Sequence, residues 1–181
     1  MIFEETKLKD AFIISLHLLS DERGGFARTF CKKEFQQIGH TKEFVQFNHS
    51  YNNFKGTIRG MHYQAPPYQE IKLIRCVKGA VQDVIIDLRK NSPTFLQHIS
   101  IELSEQNKKM IYVPEGFAHG FQTRCDQTEL IYHHTEYYAP NSDDGLNYND
   151  GALNIKWDLP VSMISEKDKN YNMINNNFKG M

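Results

Sequence analysis

Short runs of β-forming residues, cut at close intervals by turn-forming residues, fill most of this chain and leave little room for long helices. The runs are Phe44 to Asn48, Gly56 to Gln64, Ile71 to Val77, Ala80 to Leu88, His98 to Leu103, Met110 to Val113, His119 to Thr123 and Glu129 to Thr135. Asn52-Asn53, Ala65-Pro66-Pro67, Lys78-Gly79, Asn91-Ser92-Pro93, Ser104 to Asn107, Pro114-Glu115-Gly116 and Asp126-Gln127 separate them and favour chain reversal. Many short strands at such spacing predict a β-sandwich or barrel. One short helix is expected, from Lys32 to Ile38. With 181 residues the chain can build one domain with a full core, and no repeat, linker or low-complexity tract divides it. The asparagine-rich tail from Asn170 to Met181 is expected to be a poorly ordered or docking end.

Composition narrows the functional classes. Hydrophobic residues make up 40% and charged residues 24%, with a formal net charge of -1, as in a soluble globular protein. Nothing in that balance favours nucleic acid, so an anionic ligand must be met by local arginines and lysines. The start, Met1-Ile2-Phe3-Glu4-Glu5-Thr6, lacks the basic and apolar regions of a signal peptide, and no stretch reaches membrane-spanning length. Cys31, Cys76 and Cys125 are odd in number and widely spaced, which fits reduced thiols in a cytoplasm.

Side chains alternate along a strand, so parity assigns faces. Gln46 and Asn48 share a face, as do Lys72, Ile74 and Cys76, and Leu130, Tyr132 and His134. Polar residues on an inward face predict a wet cavity within the sandwich. Arg59 and His62 differ in parity, and a bulge at Gly60 would let both face inward.

The chemistry available is proton transfer. A neutral imidazole at His62 suits a general base near pH 7, although a histidine satisfied inside a barrel reads the same way. Lys72 lies in the apolar run Ile71 to Ile74; inward, its ammonium needs a negative partner such as an enolate oxygen, and outward it is an ordinary surface lysine. Ser165-Glu166-Lys167-Asp168 reads as a serine-capped start of a short helix.

Seven runs, taken in order, resemble the dTDP-4-dehydrorhamnose 3,5-epimerase family across nearly the whole chain. They are Asp21 to Phe26, Phe44 to Ser50, Ile58 to Gln64, Lys72 to Cys76, Asp83 to Arg89, Val113 to Phe121 and Ile164 to Asp168. The resemblance implies an all-β, cupin-like jelly roll with short peripheral helices. It also implies a cofactor-independent isomerase that epimerises a nucleoside-diphosphate 4-keto-6-deoxyhexose at carbons 3 and 5. By the same resemblance His62 is the base, Asp168 its orienting carboxylate, Lys72 the group near the keto oxygen and Tyr132 the general acid. Asp83 and His119 match supporting positions that orient the lysine and substrate. Arg23, Arg59 and Lys167 match positions that meet the diphosphate. Gln46 and Asn48 would supply neutral hydrogen bonds to the nucleotide or sugar, and Phe26 and Tyr138 would either stack on or wall the ligand or belong to the core. The family is usually a homodimer whose N-terminal segment reaches the partner's site.

Two departures bear on specificity. Pro114-x-Gly116-x-x-His119 is half of a cupin metal pattern, but the other half has Gln64 where histidine is needed, and Glu70 follows a proline pair too closely; a metal-free site is expected. No Gly-x-Gly-x-x-Gly fingerprint marks a dinucleotide cofactor. Arg28 stands where many family members carry glutamate, which reverses the charge near the nucleotide end. Thymidine is the default nucleotide. The alternatives are epimerisation at carbon 3 alone, another nucleotide, or a sugar-nucleotide binding protein without turnover.

Overall fold

The computed structural model describes residues 1–175 and 177–181. The chain forms β1 (Ile2–Glu5), β2 (Phe12–Ser15), β3 (Leu19–Asp21), β4 (Gly24–Phe26), β5 (Gln46–Asn52), β6 (Ile58–Gln64) and β7 (Lys72–Lys78). It continues with β8 (Ala80–Asp87), β9 (His98–Ser104), β10 (Met110–Val113), β11 (Phe117–Thr123), β12 (Thr128–His134) and β13 (Asp143–Gly145). Two short helices, α1 (Lys32–Phe35, extended by a 3-10 turn over Gln36–Ile38) and α2 (Glu166–Lys169), lie outside the strands. A six-stranded sheet, ordered β1-β2-β10-β7-β12-β5, faces a five-stranded sheet, β13-β6-β11-β8-β9, while β3 and β4 pair as a separate hairpin. This is the expected all-β jelly roll.

The sheets close on side chains whose parity turns them inward. Ile74, Cys76, Ile111, Val113 and Leu130 meet Val81, Ile85, Leu103, Phe117 and Phe121, all at most 5% exposed. Both outer faces are also covered in part. Met61, Val84, Ile86 and Ala118 pack under Leu146, Leu153, Trp157, Ile174 and Phe178. Phe35, Phe30 and Phe44 cover Ile14, Leu73, Met110 and Tyr112. Burial on both faces explains why Val84-Ile85-Ile86 reads as a continuous apolar run instead of an alternation.

Several boundaries differ from the sequence expectation. Strand β5 starts at Gln46, not Phe44. Phe44 instead stacks on His40 with ring centroids 4.8 Å apart, in the aromatic cluster above the sheet. Strands β1 to β4 and β13 escape a composition-based reading because each is only three or four residues long. The tail docks: Met181 donates its N–H to Leu88 O at 2.7 Å and accepts from Lys90 N–H at 2.9 Å. Within that expected tail, Asn176 lies outside the described residues. Among the described residues no helix is long and apolar enough to cross a membrane.

The bulge at Gly60 is present. Between the pairs His119–His62 and Phe121–Arg59, β11 advances two residues where β6 advances three. Gly60 adopts φ +113°, and a Cβ there would lie 2.7 Å from both Gly120 Cα and His119 O. Only glycine fits. Replacing it (Gly60→Ala) is expected to cost about 1–3 kcal/mol or more in chemical denaturation; an unchanged midpoint would show that the bulge tolerates a side chain.

Candidate active site

At one end of the sandwich the apolar core gives way to polar side chains. A cavity of about 250 Å³ is lined by Asn48, Ser50, Arg59, His62, Lys72, His119, Tyr132 and His134, among others. It runs on into neighbouring clefts lined by Ser165, Lys167 and Asp168 on one side and by Gln46, Glu70, Tyr138 and Asp143 on the other. Parity delivers these groups as expected: Lys72 continues the face of Ile74 and Cys76, and Tyr132 and His134 continue that of Leu130. The bulge brings Arg59 and His62 to the same cavity.

His62 Nε2 lies 2.7 Å from Asp168 Oδ1, with the imidazole about one third exposed and the carboxylate only 6% exposed. Asp168 Oδ2 accepts the Gly60 N–H at 3.0 Å. Burial pushes the Asp168 carboxyl up, but bonds from His62, Gly60 and Ser165 outweigh it and hold the group below the ordinary carboxylate range. An ionised Asp168 accepts, so His62 carries its proton on Nε2 and keeps the basic lone pair on Nδ1. Tyr171 packs edge-on against the imidazole, with ring centroids 5.9 Å apart.

The two sequence readings of Asp168, helix cap and histidine partner, are both realised. Ser165 Oγ accepts the backbone N–H of Asp168 at 3.0 Å, so the serine caps α2 and the aspartate's carboxylate stays free for His62.

Across the cavity, Tyr132 projects from β12 in the six-stranded sheet, opposite His62 on β6 of the five-stranded sheet. Burial, then the Asp83 carboxylate, raise the Tyr132 phenol above its ordinary value, partly offset by Arg59 and a hydrogen bond with Ser50. The phenol is therefore protonated at neutral pH. His119 Nε2 lies 2.8 Å from Asp83 Oδ2, and the His119 ring meets Tyr132 edge-on at 6.0 Å. Asp83 Oδ1 is buried with no partner among the described residues.

Lys72 is 8% exposed. Asp83 and His119, expected beside it, pair with each other. The carboxylate on Lys72 Nζ is Glu70, at 3.2 Å, and Glu70 also lies 2.6 Å from His134 Nδ1. Sequence reasoning set Glu70 aside as a metal ligand because it follows the proline pair, and gave His134 a face but no role. The signal was nonetheless present, since His134 shares parity with Tyr132.

The rim groups follow in part. Arg59 donates from Nε to Asn52 Oδ1 at 2.7 Å and remains exposed at the cavity. Lys167 pairs with Asp143, which also accepts the Tyr138 hydroxyl at 3.1 Å. Gln64, at the position of a metal ligand in the pattern considered above, bonds the Tyr68 and Tyr137 carbonyls and the Ala139 N–H, and so holds the loop that carries Tyr138. Among the described residues no three His, Cys, Asp or Glu side chains group to hold a metal ion. Arg23 and Phe26 are not brought to this cavity; they stand on the β3–β4 hairpin, with the Arg23 side chain 85% and Phe26 73% exposed. Arg28 pairs with Glu34 at 2.7 Å, so a carboxylate already balances its charge.

Comparison with known proteins gives a consistent picture. The family model described as dTDP-4-dehydrorhamnose 3,5-epimerase matches residues 5–176. The dTDP-4-dehydrorhamnose 3,5-epimerase of Shigella flexneri is 41% identical over 167 residues, 92% of each chain. A structure of the Bacillus anthracis enzyme of that name, with TDP and PPi bound, superposes with TM-score 0.93 at 41% identity and covers 96% of this chain and 99% of that one. The Legionella pneumophila dTDP-6-deoxy-D-glucose-3,5-epimerase, in complex with dTDP-4-keto-L-rhamnose, gives TM-score 0.90 at 36% identity, covering 95% and 92%.

The depressed Asp168 and Glu70 carboxyls carry a signed pH consequence. Their stabilising effect is complete above the unfolded carboxyl value, about 4, and is lost as pH falls through the lower folded values. Asp168→Asn should therefore flatten the acid limb of stability, read by urea denaturation between about pH 3 and pH 6. A limb as steep as the parent's would show that the pair contributes nothing.

Proposed function

The chain belongs to the dTDP-4-dehydrorhamnose 3,5-epimerase family, and from that membership we propose how its cavity performs the reaction. The protein is an isomerase that converts dTDP-4-dehydro-6-deoxy-D-glucose to dTDP-4-dehydro-L-rhamnose. The carbonyl at carbon 4 acidifies the hydrogens on carbons 3 and 5. His62 Nδ1 removes one of these protons, and Asp168 stabilises the resulting imidazolium through Nε2–H. The electron pair moves onto the carbonyl oxygen, where the Lys72 ammonium meets the enolate. Tyr132 returns a proton to the same carbon from the opposite side. The cycle repeats at the second carbon, and solvent resets His62 and Tyr132.

One observation carries this reading: base and acid enter one cavity from opposed sheets. Inversion needs removal on one face and delivery on the other, which a binding protein does not. The protonated phenol suits the donor role. Asp83 and His119 steady the Tyr132 side of the cavity, Arg59 and Lys167 meet the diphosphate, and Gln46, Asn48 and Tyr138 bond or wall the ligand. The whole chain acts as one catalytic domain, in the cytoplasm, where its three unpaired cysteines stay reduced.

The active form is a homodimer. Arg23 and Phe26 lie on an exposed hairpin of their own, suited to complete the site of a second copy. Phe47 and Tyr51, 66% and 62% exposed, leave an apolar face on the outside of β5 for that contact.

Incubation with dTDP-4-keto-6-deoxyglucose in deuterated water, followed by NMR, tests the chemistry. Deuterium at carbons 3 and 5 with inverted products is expected, and exchange at carbon 3 alone would select a single-site epimerase. His62→Ala should reduce exchange by about 10²- to 10⁴-fold. Sedimentation should give a dimer, and Arg23→Ala should raise KM while His62 remains able to exchange; a fully active monomer would remove the hairpin from the site.

A further inference from the structure

The proton transfers leave two buried titratable side chains of the cavity, Glu70 and His134, without a task; their side chains are only 10% and 9% exposed. The direction of every hydrogen bond they make follows from chemistry. Lys72 has only protons to give, so Nζ donates to Glu70 Oε1 at 3.2 Å. Burial raises the Glu70 carboxyl, but bonds from His134 and Lys72 outweigh it and hold the group low. The ionised Oε2 therefore accepts from His134 Nδ1–H at 2.6 Å. That leaves His134 Nε2 with a lone pair, and Asn48 Nδ2 donates to it at 3.3 Å. Asn48 Oδ1 then accepts from Gln46 Nε2 at 3.3 Å, and Gln46 Oε1 accepts from the Tyr138 N–H at 3.1 Å. Strand register builds this chain, since His134 lies opposite Lys72 on β7 and opposite Gln46 on β5.

We propose that Glu70, anchored by His134, is a positioning residue for the epimerisation: it pairs with the Lys72 ammonium and aims it, while His134 fixes the amide polarity of Asn48 and Gln46. The proposal rests on Lys72 being the oxyanion donor described above. A buried ammonium is expensive without a counter-charge, and a neutral amine gives a developing enolate far less stabilisation. Besides Glu70, Lys72 Nζ has the His62 carbonyl at 3.5 Å, too long to hold it firmly. His134 also stacks on Tyr132, with planes 16° apart, so the same anchor borders the acid. The other titratable groups lining these cavities are His49 on β5, Arg59, His62 and Tyr63 on β6, His119 on β11, Tyr132 on β12, Tyr138 in the loop after β12 and Asp143 on β13.

Glu70→Gln removes the charge and keeps the size. It is expected to lower kcat about tenfold or more with little change in KM. Glu70→Asp should restore part of the loss, and His134→Gln should lower kcat the same way by less, even if Glu70→Gln folds poorly. A readout independent of turnover is the ¹⁵N NMR signal of Lys72 Nζ, which its ion pair protects from exchange; it should vanish in Glu70→Gln and persist in Glu70→Asp. Persistence in Glu70→Gln would overturn the positioning role. Loss of the signal with unchanged kcat would overturn the proposal by a different route, because Lys72 would then not be the oxyanion donor.

Discussion

Charge cannot be left alone inside a β-sandwich, and that constraint organises the working end of this molecule. Where the apolar layer stops, each buried carboxylate is matched to a specific nitrogen: Asp168 to His62, Asp83 to His119, and Glu70 to both Lys72 and His134. Apart from Glu70 with the nearby Lys72, each pairing draws its two members from different elements, so the desolvation cost of a single charge fixes how strands and loops sit against one another. The exception is Asp83 Oδ1, which is buried with no partner among the described residues while Oδ2 pairs with His119.

The backbone contributes as much as the side chains. Gly60 supplies a residue without a Cβ where β6 presses on Gly120. The bulge turns Arg59 and His62 to one face, and the same glycine offers its N–H to Asp168. Register, histidine orientation and carboxylate ionisation thus converge on one position in β6.

What could be read from the sequence was whatever follows strand parity. Lys72, Ile74 and Cys76, and Leu130, Tyr132 and His134, face where alternation puts them, and the parity conflict between Arg59 and His62 located the bulge. Groups off the strands were not legible in this way. Glu70 shares parity with Lys72 but lies two residues before it, outside β7 and close after the proline pair, so strand alternation was not extended to it. Asp168 looked committed to a helix start, because sequence does not distinguish its backbone N–H, which Ser165 takes, from its carboxylate, which His62 takes. Arg23 and Phe26 matched the family by motif, yet their hairpin stands apart from this chain's own cavity.

The bond between Asp168 and His62 spans 106 residues of sequence. The carboxylate lies past every strand of both sheets, in the last short helix. A chain emerging from the ribosome therefore presents every strand before the carboxylate that orients the imidazole. The contact that orients the imidazole forms only when the final segment folds back over β6, and the same segment lays Trp157, Ile174 and Phe178 over the outer face of that sheet.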